Sequence, residues 1–259
     1  MEHGTHGRKV AELLVGILLL VVLAAVLLPA LGRAREAARR ASCQNNLKQM
    51  GISFRMFAGE HNGDWPRLSP TPNNWVPDMN ALYPDYLNDP QVLVCPQSPF
   101  ADAKAFCLVR NAEHPEAEIG QFHPDCVSSL FYVYTGFAIV SDEQAVAFLD
   151  AYHTLPYEAL TQTALQLDIP IWENSDRLTK MPELGYAQAE VPVLWDQVPL
   201  EKWAWSHQVP GGNVLYMDGH VEFLRYSYYN NSSAFPMTRV SAETFGSALP
   251  RLSSDCSDF

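Results

Sequence analysis

The sequence predicts an α+β protein in which one long N-terminal helix packs on an antiparallel β-sheet. A 19-residue apolar run covers residues 13–31, and a helical pattern of apolar residues continues behind it. Two later segments, 129–140 and 213–224, are rich in aromatic and β-branched residues, as strands are. Because the second segment contains the dipeptide Asp218-Gly219 between two apolar runs, it predicts a hairpin with a type I′ turn.

The apolar run is long enough to cross a membrane. It carries no charged and no strongly polar side chain, and at 1.5 Å per residue its helix nearly spans the ~30 Å hydrocarbon core of a bilayer. A secretory signal has a shorter apolar stretch of roughly 7–15 residues and a small-residue cleavage site. Here the basic segment RAREAARR follows instead. We therefore expect a retained transmembrane helix at 13–31, which we call the stem.

The helix is expected to continue well beyond the membrane. Apolar residues recur at helical spacing on one face, whereas the opposite face is polar and basic. The residues of the apolar face are Leu47, Met50, Gly51, Phe54, Phe57 and Ala58. We place the helix at about 10–59, ended by the turn signal Asn62-Gly63 and by Pro66. Such a length is far above the ~11–12 residues of an average helix and requires a special architecture.

Shorter elements follow from local signals. Ser141, followed by two acidic residues, is a good helix N-terminus because its hydroxyl can accept from a free backbone N–H group. The predicted elements after residue 60 are, in order, a short helix at 79–87, a short strand at 91–95, an irregular insertion at 100–126, a strand at 129–140, helices at 143–152 and 157–167, a strand at 191–195, the hairpin at 213–224 and a short helix after Ser241.

The charge of the chain is divided unevenly. Its 259 residues include 29 acidic and 17 basic side chains, a formal net charge of −12. Residues 1–56 carry a net charge of +5 and residues 57–259 one of −17. An acidic body of this kind repels phosphate backbones, so we expect no nucleic-acid partner. Hydrophobic residues make up 47% of the chain, which provides an ordinary core and excludes wholesale disorder.

The cysteines favour disulfides rather than a metal site. None of the five belongs to a Cys-x-x-Cys pair, and no histidine spacing suggests zinc. They are Cys43, Cys95, Cys107, Cys126 and Cys256. Four lie in the acidic part of the chain, which fits an oxidising compartment and one or two disulfides. We expect at least one disulfide among Cys95, Cys107 and Cys126; buried free thiols are the alternative, and the sequence leaves the pairing open.

The chain resembles type IV pilin-like proteins in its N-terminal segment, GRKVAELLVGILLLVVLAAVLLPALGRAREAARRASCQNNLKQMG. It is most similar to the pseudopilin-like proteins abundant in planctomycetes and verrucomicrobia. Two later segments, LNDPQVLVCP and HQVPGGNVLYMDGHVEFL, resemble recurrent segments of the same family, and together the matched parts cover about a third of the chain. The matching N-terminal positions are Gly7, Glu12, Pro29, 35–40, Cys43, 45–49 and Gly51.

The resemblance implies a processed membrane protein. Residues 1–7 correspond to a leader that prepilin peptidase removes after Gly7, with N-methylation of the new terminus at Arg8. Residues 8–60 correspond to the long helix, and residues 61–259 to a globular extracytoplasmic head. The fold implied is pilin-like.

Two stem positions have roles in the resembled family. Glu12 would be the fifth residue of the mature chain and would pair with the N-terminal amine of a neighbouring subunit, since a charge deep in lipid costs ~2.5–3.5 kcal/mol. A glutamate at the membrane interface is the alternative. Pro29 would be the twenty-second residue, where it removes a backbone donor and bends or opens the helix. A tolerated transmembrane proline is the alternative there.

The function implied by the resemblance is structural and not enzymatic. The protein would be a subunit of a type IV pilus-like or type II secretion pseudopilus filament. Its partners would be copies of itself, the inner membrane, prepilin peptidase and an assembly platform. The positive-inside rule alone would put the head in the cytoplasm, because four arginines at 33–40 follow the stem. We follow the family and the cysteines, which put it outside. The alternative function is a monomeric membrane-anchored module that binds polysaccharide or protein.

One polar constellation invites a guess about a site. His207, Asp218 and His220, with Asp196 nearby, contain side chains that bind metals or transfer protons. No serine or cysteine nucleophile accompanies them in a recognisable motif. We expect Asp218, Gly211, Gly212 and Gly219 to shape turns and His207 to satisfy a backbone group, and we predict no cofactor. The weaker alternatives are a calcium or other cation site, with Asp196 and Asp218 as the best oxygen ligands, and catalysis.

Overall fold

The computed structural model describes residues 3–100, 122–155, 186–207, 209–227 and 233–246, with the backbone alone for 3–11. It confirms the α+β class. The helices of the described residues are α1 (His3–Glu60), α2 (Met79–Leu82), α3 (Asp142–Thr154) and α4 (Arg239–Phe245). The strands are β1 (Tyr132–Tyr134), β2 (Pro192–Asp196), β3 (Gly211–Tyr216) and β4 (Val221–Arg225).

The chain divides into two compact units, Met1–Ala41 and Ser42–Phe259. We call the second the head unit. The boundary falls inside α1 rather than at residue 60, because one face of α1 is buried in the head unit from Cys43 to Ala58. The unit therefore begins before the globular segment that the sequence suggested.

The first unit is a single apolar helix. The large side chains of the stem are between about half and two thirds exposed, for example Leu20 at 66% and Val26 at 68%. By length and composition α1 can cross a membrane, a test that a signal sequence near an N-terminus also passes. α1 runs through Pro29 as one helix, and the role expected of this residue in a filament stays a prediction.

The second half of α1 forms one side of the core of the head unit. The buried positions of the predicted apolar face are Leu47, Met50, Gly51, Phe54 and Ala58, whereas Phe57 is half-buried; Cys43, Asn46 and Ser53 are buried as well. At Gly51 a Cβ would lie 2.9 Å from the side chain of Leu215, so glycine allows α1 to approach β3 closely. The helix ends as predicted, because Asn62 and Gly63 have φ values of 59° and 93° and the Gly63 N–H donates to the carbonyl of Ala58 at 2.8 Å.

The sheet has the order β1-β2-β3-β4, and every neighbouring pair is antiparallel. β1 is shorter than the predicted strand at 129–140. It ends before Gly136, whose φ of +74° brings its backbone against Leu68. The aromatic residues around it are core residues, since Phe131 and Phe137 are each 1% exposed. The composition of residues 129–140 correctly predicted a buried apolar segment, but it could not predict how few of these residues pair with β2.

Two predicted elements are corrected by turn chemistry. The strand expected at 91–95 is a 3-10 turn, Pro90–Leu93, because the carboxylate of Asp89 accepts from the Gln91 N–H at 2.9 Å and Pro90 starts the turn. The helix expected at 79–87 stops at Leu82, since the residue before Pro84 is disfavoured in the α region. Both elements nevertheless bury their apolar side chains.

The hairpin is confirmed, but its turn is of another type. Three residues, 217–219, connect the paired residues Tyr216 and His220. The Gly219 N–H donates to Tyr216 O at 2.9 Å, and Gly219 has a φ of +92°. Asp218 is not among the described residues with positive φ, so this is a three-residue loop with glycine in the left-handed region rather than a type I′ turn.

The starting points of α3 and α4 are set by their N-terminal capping residues. α3 is confirmed, and the hydroxyl of Ser141 accepts from the Gln144 N–H at 3.3 Å. α4 begins before the predicted Ser241, because Thr238 caps it by accepting from the Ser241 N–H at 3.1 Å. The strand at 191–195 is confirmed as β2. The helix predicted at 157–167 lies outside the described residues.

Candidate functional site

A disulfide joins α1 to the loop that follows the 3-10 turn. Cys43 and Cys95 are bonded, with their Cα atoms 5.3 Å apart, and both are fully buried. Cys95 therefore pairs with neither Cys107 nor Cys126, and of the disulfides expected among these three only a Cys107–Cys126 bond stays a prediction. Cys126 is also disulfide-bonded, and the cysteines left as its partner, Cys107 and Cys256, lie outside the described residues.

A histidine and an aspartate form a buried pair next to this disulfide. The Nε2 of His207 donates to Asp196 Oδ2 at 2.7 Å. Asp196 ends β2 and is 1% exposed, and His207 is 3% exposed. A carboxylate this deep needs partners, because burying an unpaired charge costs several kcal/mol. The sequence proposed both residues, and the structure brings them together.

Asn213 completes the set of donors around Asp196. Its backbone N–H and its side-chain Nδ2 donate to the same Oδ2, at 2.7 and 2.8 Å. The preceding Gly212 makes this approach possible, since a Cβ there would lie 2.9 Å from Asp196 Cβ and 2.8 Å from Met237 Cε. The Gly-Gly-Asn segment of the sequence is thus explained by close packing at the start of β3.

The disulfide and the His–Asp pair meet in one cluster. The sulfurs of Cys43 and Cys95 and a ring nitrogen of His207 all lie within 4.8 Å of one another. Nδ1 of this ring contacts Gln97 Oε1. We call Cys43, Cys95, Gln97, Asp196, His207 and Asn213 the buried cluster.

A second layer of polar groups links α1 to the sheet beside the cluster. Asn46 donates to the carbonyl of Val94 at 2.8 Å and to the hydroxyl of Tyr132 at 3.3 Å. Desolvation by burial raises the pKa of the Tyr132 hydroxyl well above its usual range, and the charge of Asp196, its partner across β1 and β2, raises it further. Tyr132 therefore stays neutral at any physiological pH.

Two oxygens of the cluster have no hydrogen-bond partner among the described residues. They are Asp196 Oδ1 and Asn213 Oδ1, and both are buried. Each buried acceptor without a partner costs about 1–3 kcal/mol.

The buried cluster holds no free thiol from Cys43 or Cys95 in this state. A cysteine, a histidine and an aspartate can serve as nucleophile, base and orienting group. Here, however, the two sulfurs are bonded to each other and are fully buried, so neither is a free thiolate.

Asp218 and His220 form a separate, exposed pair in the hairpin turn. Asp218 Oδ1 accepts from the backbone N–H of His220 at 2.9 Å and contacts its ring Nδ1 at 2.6 Å. Partial burial raises the pKa of the Asp218 carboxyl, but these hydrogen bonds outweigh it and leave the pKa below its usual value. The His220 ring stacks on Tyr216, with centroids 4.4 Å apart.

The geometry does not assemble the calcium site weighed from the sequence. Asp196 lies with Gly212 and Asn213 at the start of β3, whereas Asp218 lies in the turn after β3. The two carboxylates belong to separate clusters, and Asp196 Oδ2 is already occupied by three donors.

The assembly and processing residues lie in the first unit. Gly7 and Arg8 belong to α1 in the part described by its backbone alone. Glu12 and Pro29 are exposed on the same helix. Their proposed roles stay predictions.

Comparison with known proteins gives one finding. Residues 32–75 match the model of a family described as "Protein of unknown function (DUF1559)". The matched segment begins at the end of the stem and includes Cys43 and Asn46 of α1. No curated protein and no solved structure matches the chain.

Sequence reasoning named His207 and Asp196 but missed the other members of the buried cluster. The available signal was the set of segments that carried the family resemblance. Cys43 lies in the first segment, Cys95 in the second, and His207 with Asn213 in the third. Segments far apart in the chain therefore meet at one buried place.

Proposed function

We propose that the protein is a structural subunit, anchored in the inner membrane by its stem, that assembles into a pilus-like or pseudopilus filament. The single observation that supports this most is α1. One helix of 58 residues supplies an apolar first part and a second part that forms the core of an α+β head unit. The match of residues 32–75 is compatible with such a protein.

The exposed stem requires an apolar partner. Large apolar side chains at 13–31 are at least 48% exposed, which a soluble monomer does not tolerate over so large a surface. Lipid or the stems of other subunits can cover them. Moving from lipid to a bundle gains little hydrophobic energy, since lipid tails are as apolar as leucine. Packing, charge pairing at Glu12 and an assembly motor must therefore favour the filament over the subunit in lipid.

The head unit is built to keep its helix attached. The Cys43–Cys95 disulfide closes a separation of 52 residues, which in the chain-entropy relation stabilises the folded state by about 4 kcal/mol. Asn46 and Arg55 add hydrogen bonds from α1 to Val94 and Met217. A subunit held through its helix in a filament needs such a connection, and the disulfide fits a head outside the cytoplasm.

Electron microscopy tests the proposal directly. The full-length protein, expressed with a prepilin peptidase and assembly platform, is expected to give filaments. Glu12→Ala should reach the membrane fraction at the wild-type level but give few filaments, because its charge no longer pairs with the neighbouring terminus. Glu190→Ala, an exposed glutamate of the head unit, is the matched control and should assemble normally. Equal filament yields for Glu12→Ala and wild type would contradict the assembly role.

A monomeric anchored binding module is the second candidate, and one cavity favours it. An open cavity of about 560 Å³ lies between the loop after α1 and the end of α3. Its polar lining includes Arg67, Asn73, Tyr152 and His153. Membrane-bound monomers without filaments, together with binding of a polysaccharide to this cavity, would establish the second function and overturn the first.

A further inference from the structure

The buried cluster contains more chemistry than a structural disulfide needs. A disulfide is complete by itself, yet this one lies within 4.8 Å of a histidine nitrogen. The histidine is held by a carboxylate whose second oxygen is buried without a partner among the described residues. Replacing such buried polar groups by apolar ones is often neutral or stabilising, so their presence calls for another role.

We propose that the reduced form of the Cys43–Cys95 pair, together with His207, is a binding site for a thiophilic metal cation of the Zn²⁺ class. Two thiolate sulfurs and one imidazole nitrogen are the ligands that Zn²⁺ prefers. The ligands of a tetrahedral zinc ion lie roughly 3–4 Å from one another, given Zn–S and Zn–N distances of about 2.3 and 2.0 Å. The three ligand atoms of the cluster are already within 4.8 Å, so small side-chain movements bring them around one ion.

The surroundings of His207 match those of a metal ligand. Histidine ligands of metals generally donate their second ring N–H to a carboxylate, which fixes the ring and raises its basicity. Nε2 of His207 donates to Asp196 at 2.7 Å, and Asp196 is itself fixed by Asn213. This leaves Nδ1 for the metal. Gln97 Oε1, which contacts Nδ1 in the disulfide state, offers an oxygen for a fourth position.

The two states of the cysteine pair exclude each other. A dithiol reductant gives two electrons and two protons to the S–S bond and becomes a disulfide, and a phosphine with one water becomes a phosphine oxide while the water supplies the two protons. Either reaction leaves two thiols at Cys43 and Cys95. Zn²⁺ then binds the two sulfurs and displaces their two protons. Because the same sulfurs form the disulfide, oxidation must expel the ion. The proposal concerns the head unit alone and does not depend on filament assembly.

Spectroscopic titration of the full-length protein in detergent tests the site. The protein is reduced with a phosphine under anaerobic conditions, freed of reductant and titrated with Co²⁺, which reports thiolate ligands by a charge-transfer band. We expect one Co²⁺ per chain, complete displacement by Zn²⁺, and no band in the oxidised protein. Absence of the band in the folded, reduced protein would overturn the proposal.

Variants distinguish this site from the other cysteines of the chain. Cys43→Ser should abolish the stoichiometric band, whereas the matched control Cys126→Ser should keep it. Asp196→Asn should weaken the binding of Zn²⁺ about 10–100-fold, as loss of an outer carboxylate does at other sites. An unchanged band in Cys43→Ser, or its loss in a folded Cys126→Ser, would place the metal elsewhere and refute the assignment.

Folding is measured in the same samples by circular dichroism. If Asp196→Asn does not fold, Gln97→Ala replaces it, because Gln97 is a half-buried loop residue whose Oε1 contacts Nδ1 of His207. A weaker Zn²⁺ affinity in Gln97→Ala would support Gln97 Oε1 as the fourth ligand of the ion. An unchanged affinity would remove Gln97 from the site, and the comparison of the two cysteine variants would still decide the assignment.

Discussion

Single residues of the head unit act through very close packing. Gly212 is an example, since its missing side chain gives Asp196 and Met237 the space that they occupy. A buried residue without space for one more methyl group is sensitive to the smallest substitution. The same argument does not apply to exposed glycines, and the chain contains both kinds.

We expect Gly212→Ala to destabilise the head unit by about 1–3 kcal/mol, because the added methyl group overlaps Asp196 Cβ and Met237 Cε. Gly59→Ala is the matched control. Nothing lies within 4 Å of a Cβ at Gly59, and alanine is the better helix former by up to about 1 kcal/mol. Urea unfolding followed by circular dichroism measures both. A Gly212→Ala variant as stable as wild type would show that the cluster is loosely packed.

Asp218 makes part of the stability of the hairpin dependent on pH. Although partial burial raises it, the pKa of its carboxyl in the folded protein lies below the ordinary value of an aspartate, chiefly because the carboxylate accepts hydrogen bonds from His220. The ionised form is therefore favoured by folding. The stabilisation is fully present above about pH 4 and is lost as the pH falls through the lowered pKa. Asp218→Asn should flatten this acid limb of the stability curve. If the free energy of unfolding changed equally with pH in the variant and in wild type between about pH 2 and 4, Asp218 would not be the source of this pH dependence.

At the scale of elements, α1 and the loop after the 3-10 turn are held together by a covalent bond. Cys43 comes from the helix and Cys95 from the loop, so the disulfide joins two elements that are distant in sequence. Arg55 and Asn46 add polar contacts along the same helix. The second half of α1 is thus an integral part of the head unit.

Loss of this disulfide should lower the free energy of unfolding by about 4 kcal/mol, because the unfolded chain regains the freedom of a long loop. Cys95→Ser and Cys43→Ser should give the same loss, and the double variant should add little to either. Urea unfolding in metal-free buffer measures these three. Additive losses in the double variant would mean that each cysteine acts through packing rather than through the shared bond.

At the scale of the whole molecule, the chain combines a basic N-terminal part with an acidic remainder. Residues 1–56 carry +5 and residues 57–259 carry −17. This division fits a protein with one part at a membrane and one part in water. The proposed processing would remove residues 1–7 from such a chain.

The mature protein is expected to begin at Arg8, because Gly7 and Glu12 have the spacing of a prepilin cleavage site. Intact-mass measurement of the protein from the membrane fraction checks this, with a Gly7→Leu variant as the control that should stay uncleaved. Retention of Met1 in assembled protein would contradict the prediction. The membrane insertion of the stem should be equal in both variants, since residues 13–31 are unchanged.

The sequence by itself determined the elements whose causes are local. The apolar run, the helical face from Leu47 to Ala58 and the cap at Ser141 each depend on residues within a few positions of one another. The hairpin was also located correctly, because the two apolar runs on either side of Asp218-Gly219 are close enough in the chain to pair with each other. These features made the α+β class predictable.

Only the tertiary structure decided which distant residues meet. Pairing of β2 with β1 and β3 brings Asp196 beside Tyr132 and Asn213, and packing of α1 on the sheet brings Cys43 to Cys95 and His207. No local signal encodes such contacts, because they depend on the order of strands and on the packing of α1 against the sheet. For the same reason the sequence could name His207 and Asp196 but could not separate them from Asp218, which lies five residues from Asn213 in the chain and in another cluster in the fold.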